Sequence, residues 1–182
     1  LHKNWINTLG YFAPPFFWHW YVDSYTQTVS RKLKRCILLP YVIVQAKKVF
    51  ADVFLFYLQA HYYHWNITGR HFAQDHKLFG DIYEDVQASI DTFAEQLRTL
   101  DTFAPGVFNR FMDLSQIEQE SSIPGSEEMY DKLIASNSQV IAGLTELFML
   151  LETNHLHGFG DFIAGRIDAH NKHQWMLTST LK

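Results

Sequence analysis

Apolar side chains recur at three- and four-residue steps along most of this chain, the period of helices that bury one face. Val42, Ala46, Val49, Phe50, Val53, Phe54 and Tyr57 form the first stripe and predict a helix over Tyr41–His64. Pro40 falls near its first turn, where a missing N–H costs nothing. Asn66-Ile67-Thr68-Gly69 is a turn by composition. A second helix is expected from His71 to Leu100, ending ahead of the breaker pair Pro105-Gly106, and a short one over Val107–Gln116. After a loop at Ile123-Pro124-Gly125, Ser126 reads as an N-cap with Glu127 and Glu128 in the first turn. The third long helix then spans Glu127–Thr153, with Leu133, Val140, Leu144, Leu147 and Leu151 as its apolar stripe. The segment HLHGFG reads as a loop leading to a fourth helix, Asp161–Thr180. No strand-like alternation persists. The expected class is all-α: four long helices, with one long connection between the second and third that carries the short helix.

Composition refines this picture in a few places. The 182 residues suit one domain, residues 41–182, preceded by an extension, residues 1–40, with no sustained period. That extension holds the aromatic run FAPPFFWHWYVDSY and then the basic positions Arg31, Lys32, Lys34 and Arg35. A formal charge of −4 gives no global field for nucleic acid, so DNA contact would fall to those four side chains. The plainer alternative for them is a solvated charge run. The single cysteine, Cys36, excludes an internal disulfide and suits a reducing compartment such as the cytoplasm. The apolar run from Cys36 to Val44 is too short to span a bilayer, and no cleavable signal peptide is evident, so no membrane association is expected.

The chemistry concentrates between His61 and Leu97. His64 and His76 stand twelve positions apart, and Asp91 and Glu95 stand four apart on one predicted helix face. Imidazole and carboxylate together are the ligand set of iron and zinc sites. On one continuous helix, His76 and Asp91 lie roughly 22 Å apart, at 1.5 Å per residue. They cannot meet on one ion within a chain. They meet if a second copy lies antiparallel across a two-fold axis, which makes two equivalent sites per dimer.

His64-Trp65-Asn66, Gly69, Phe72, His76, Phe79, Tyr83, Asp91 and Ala94-Glu95 resemble the signature of the Dps mini-ferritins, DNA-protecting proteins of starved cells. The resemblance extends through Phe111–Ile117 and Arg166–Leu177, covering roughly Val44 to Leu181. It implies a ferritin-like four-helix bundle, a hollow twelve-subunit shell, and a di-iron ferroxidase centre between subunits. By position, His64, His76, Asp91 and Glu95 match the ferroxidase ligands, and Asp161 matches an acidic position lining a pore that admits iron. Asp161 suits a helix N-cap equally well. The implied chemistry is oxidation of Fe(II) by hydrogen peroxide or dioxygen, with storage of the ferric product and protection against oxidative damage.

One position departs from the family pattern. An acidic residue usually follows the second histidine by four; here that position is Gly80. Glycine offers no ligand, so one firm and one weak metal site are expected. Glu84, on the same face one turn on, is the better substitute; His61, His71 and water are the others. His61 equally reads as a partner orienting the His64 ring or as a packed aromatic; Trp65 reads as a core anchor or, as the resemblance implies, as a residue beside the metals. His155, His157, His170 and His173 read as exposed polar residues or as a separate zinc or iron site. Two rival functions are a shell that binds DNA but has lost efficient oxidation, and a zinc-binding member.

Overall fold

The computed structural model describes the backbone over residues 18–182 and the side chains from Leu39 onward. Arg31, Lys32, Lys34, Arg35 and Cys36 therefore carry no side-chain description. The chain divides into two compact units at Leu39/Pro40, and the second, Pro40–Lys182, holds the bundle.

All described secondary structure is helical: α1 (Trp18–Asn66), α2 (Phe72–Thr99), α3 (Phe108–Leu114), α4 (Ser126–Thr153) and α5 (His157–Thr180). Three of the expected boundaries need correction. Pro40 lies inside α1 rather than at its first turn; it removes one backbone hydrogen bond without ending the helix. Gly125, in extended conformation, is the N-cap of α4 and makes no side-chain cap bond, so Ser126 is the first helical residue. Helix α5 starts four residues before Asp161, because HLHGFG supplies its first turn: Phe159 is buried and Gly160 N donates to Leu156 O at 2.9 Å. Asp161 is thus an exposed residue inside the helix and not its cap.

The apolar stripes face the core as expected. Val42, Ala46, Val49, Phe50 and Val53 are buried on α1, and Leu133, Val140, Leu144, Leu147 and Leu151 are fully buried on α4. Full burial of such a side chain stabilises the fold by roughly 1.5–3 kcal/mol. Helix α4 is apolar enough, by length and composition alone, to cross a bilayer. Its apolar face is instead spent on the bundle core, against α5. Helix α2 buries Phe79, Ile82, Val86, Phe93 and Leu97 and turns Asp81, Glu84, Asp91 and Glu95 outward.

Two polar devices tie the elements together. Buried Asp52 on α1 accepts hydrogen bonds from Ser115 Oγ at 2.6 Å and Gln116 N at 2.9 Å, holding the end of α3. Phe111 of α3 then stacks on Phe54 at 4.1 Å. In the bundle interior, Asn137 Nδ2 donates to His170 O at 2.8 Å and to Gln174 Oε1 at 2.7 Å. Asn137 Oδ1 accepts from His170 Nδ1 at 2.6 Å. Asp85 pairs with Arg166 at 2.7 Å and with His173 at 3.3 Å. His170 and His173 are therefore buried, not exposed. Burial pushes His170 well below its ordinary pKa and His173 down to about 4, the latter despite the opposing Asp85 charge.

Candidate metal-binding site

The turn between α1 and α2 brings the two predicted histidines together. Gly69 takes φ +127°, a conformation that a side chain resists, and the chain reverses within five residues. His64, in the last turn of α1, and His76, in the second turn of α2, then lie face to face. Their rings stack at 3.7 Å with 24° between planes.

Each ring is fixed by the other's backbone. His64 Nδ1 donates to His76 O at 2.7 Å, and His76 Nδ1 donates to His64 O at 2.8 Å. A carbonyl only accepts, so in the neutral rings both Nδ1 atoms carry the proton. Both Nε2 atoms are left with a lone pair. This is the arrangement that orients metal-binding histidines and sets their tautomer. Both histidines are half-buried.

Gly80 is what lets His64 sit there. A Cβ on Gly80 would come within 3.2 Å of His64 Nδ1 and 3.3 Å of Cε1. A side chain at this position would therefore need the His64 ring to shift by a few tenths of an ångström. Glu84 is exposed and has Tyr83 Oη at 3.4 Å rather than either histidine. His61 stacks on Tyr83 at 4.0 Å, lies 4.1 Å from the Trp65 ring and 6.2 Å from that of His64. Its Nδ1 contacts Tyr57 Oη at 3.3 Å. Burial, then the neighbouring His64, hold His61 below the usual histidine pKa. Trp65 is 61 % exposed, which excludes a core-anchor role within the chain. Tyr83 is a wall of the site that ligand chemistry does not single out, since a phenol is not among the expected donors. It contacts both His61 and His64, the latter edge-on at 5.1 Å.

Asp91 and Glu95 sit on the exposed face of α2, one turn apart. They share that helix with His76, so the separation of roughly 22 Å along the axis stands. Among the described residues, no three His, Cys, Asp or Glu side chains converge on one point. One chain therefore presents a pair of imidazoles and a pair of carboxylates at separate places on the bundle. Glu152 and His155 stand three positions apart but do not share a helix face, because α4 ends at Thr153 and His155 lies beyond it.

Comparison with known proteins agrees with this architecture. The family model for the ferritin-like domain matches residues 45–182. A low temperature-induced protein of Nostoc sp. strain PCC 7120 is 28 % identical over 134 residues, 72 % of this chain and 75 % of its own. DNA protection during starvation protein 2 of Bacillus anthracis is 21 % identical over 140 residues, 77 % of this chain and 96 % of its own. The crystal structure of a Dps protein from Vibrio cholerae O1, described as a ferritin-like diiron-carboxylate protein, superimposes with a TM-score of 0.76 at 25 % identity. It covers 80 % of this chain and 92 % of that one.

Proposed function

The chain belongs to the ferritin-like family, as a Dps mini-ferritin, and we propose that it oxidises Fe(II) at centres built between two copies of itself. In this reading His64 and His76 of one copy face Asp91 and Glu95 of the other. The observation that carries it is the reciprocal histidine clamp, with both Nε2 lone pairs free and no carboxylate of the same chain to complete the set. An apolar surface for pairing follows α2 directly: Phe103, Val107, Phe108 and Met112 are 81, 68, 56 and 45 % exposed.

Iron is the substrate here. Two Fe(II) ions held close together each give up one electron; peroxide takes both, its O–O bond breaks, and two protons complete two waters. The protein's own share is to fix two imidazoles and two carboxylates at a distance that keeps both electrons available to one oxidant. Dioxygen is the alternative oxidant. The ferric product is stored inside a shell of twelve chains in the cytoplasm, which limits oxidative damage.

A second reading is favoured by Gly80 specifically. With His64 packed against it, the imidazole half-site is nitrogen-rich and poor in the oxygen ligands that Fe(III) prefers. A zinc-binding shell with weak oxidation, shielding DNA through Arg31, Lys32, Lys34 and Arg35, fits that chemistry. The two readings separate in one experiment: anaerobic Fe(II) loading and a peroxide pulse, followed by ferric absorbance. Rapid oxidation that Asp91→Ala abolishes supports the ferroxidase. Oxidation no faster than free iron in both proteins removes it and leaves the shell.

A further inference from the structure

The last turns of α1 and the segment between α3 and α4 line an open cavity of about 280 Å³. That is close to the lower bound of about 300 Å³ for small-molecule sites. Its walls combine two aromatic rings with two carboxylates: Tyr62 and Trp65, three positions apart on α1, and Glu118 and Glu120. Neither ring is spent on the core, since Tyr62 is half-buried and Trp65 exposed. The polar wall is held from inside the bundle. Gln59, only 7 % exposed, lines the cavity, and its Nε2 donates to Tyr63 Oη at 3.2 Å. Tyr63 donates in turn to Glu120 Oε1, and Lys132 Nζ donates to Glu120 Oε2 at 2.8 Å. Burial raises the Glu120 carboxyl, but the bonds from Lys132 and Tyr63 outweigh it and keep the group ionised. Two features of this wall are left unused. Gln59 Oε1 is buried with no hydrogen-bond partner, a deficit that a donor entering the cavity removes. Glu118 is exposed and stands outside the pairing of Lys132 with Glu120 and Glu128.

Ring faces and carboxylates both favour a cation. A bare metal ion is not the best fit, because both Glu120 oxygens already accept hydrogen bonds. A planar organic cation suits the walls better: it stacks on a ring while the N–H groups at its edge reach a carboxylate as a fork. We infer that this cavity binds a small guanidinium or amidinium ion, stacked on Tyr62 or Trp65 and donating to Glu118 and to Gln59 Oε1. Everything required comes from one chain, and none of it belongs to the paired histidines, Asp91 or Glu95.

Benzamidinium is the probe, with benzamide as its neutral counterpart of the same shape, each titrated by calorimetry into the assembled protein. Benzamidinium is expected to bind once per chain and benzamide not measurably, with affinity falling as salt is raised. Glu118→Gln removes the unpaired carboxylate and leaves the bonds among Gln59, Tyr63, Glu120 and Lys132 in place. It is expected to weaken binding about fivefold or more, with an unchanged melting temperature and Fe(II) oxidation at the wild-type rate. Tyr62→Leu, which removes one ring face, is expected to weaken binding about two- to fivefold. Benzamide binding as well as benzamidinium, or Glu118→Gln binding as tightly as wild type, would overturn the inference. So would no binding to wild type, the result expected if an arginine of a neighbouring copy already fills the cavity. Loss of Fe(II) oxidation in Asp91→Ala with benzamidinium binding intact would show the cavity to be independent of the iron centre, as expected.

Discussion

At the scale of the residue, Gly80 decides the character of the site. It occupies a buried position in the middle of α2, where glycine costs roughly 1 kcal/mol of helix stability relative to alanine. What it provides is the space taken by the His64 ring. Gly80→Ala is therefore expected to move stability and chemistry in opposite directions. Helix propensity improves by up to about 1 kcal/mol, while the new methyl group requires the His64 ring to shift by a few tenths of an ångström, which strains its hydrogen bond to His76 O. Thermal unfolding and Fe(II) oxidation measured on the same preparation check this. A melting temperature held or raised with slower oxidation is the expected pair; oxidation unchanged would show that His64 yields at no cost to the site.

At the scale of the element, the bundle depends on how short α3 is held. With Phe103, Val107, Phe108 and Met112 exposed, this segment has few core contacts of its own. Asp52 anchors its end instead, through Ser115 Oγ and Gln116 N. Asp52→Ala leaves both donors unmet and is expected to cost about 1–3 kcal/mol, read as a lower urea midpoint with increased hydrogen exchange over residues 108–117. Leu144→Ala, on the fully buried face of α4, is expected to cost about 2–5 kcal/mol without that local signature. The long stripes of α1, α2 and α4 are legible in the sequence because their apolar spacing is regular. The start of α5 is not, since Gly158, Gly160 and two histidines hide a first turn whose only buried large side chain is Phe159. Residue type misleads at His170 and His173. Their positions continue the stripe from Ile163 to Leu177, and spacing alone places them inside. The pairing of His64 with His76 is legible as spacing across a turn. The carbonyl clamp is not, because it depends on the backbone path through Gly69.

At the scale of the whole molecule, the buried polar network sets how stability depends on pH. His170 and His173 have pKa values lowered on folding, so the unfolded chain binds more protons than the folded one below the ordinary histidine pKa. Stability is full above about pH 6.5 and falls as the pH drops towards 4, by up to roughly tenfold in the unfolding equilibrium per pH unit for each histidine. Asp85 adds nothing in that window. Burial raises the Asp85 carboxyl, but Arg166, His173 and Lys172 together outweigh it and hold the group below its usual value, so its contribution is lost only at lower pH still. Thermal melts from about pH 7 to about pH 4.5 of wild type and His173→Gln check this; the variant is expected to show the shallower decline. The central claim concerns assembly: a centre needs histidines from one copy and carboxylates from another. The most direct measurement co-assembles a His64→Ala/His76→Ala chain with an Asp91→Ala/Glu95→Ala chain and follows Fe(II) oxidation after a peroxide pulse. Each chain alone is expected to be inactive. A mixed dimer regains one complete centre out of two, so activity should reappear on co-assembly. Mixed assemblies as inactive as their parents would contradict a centre shared between copies.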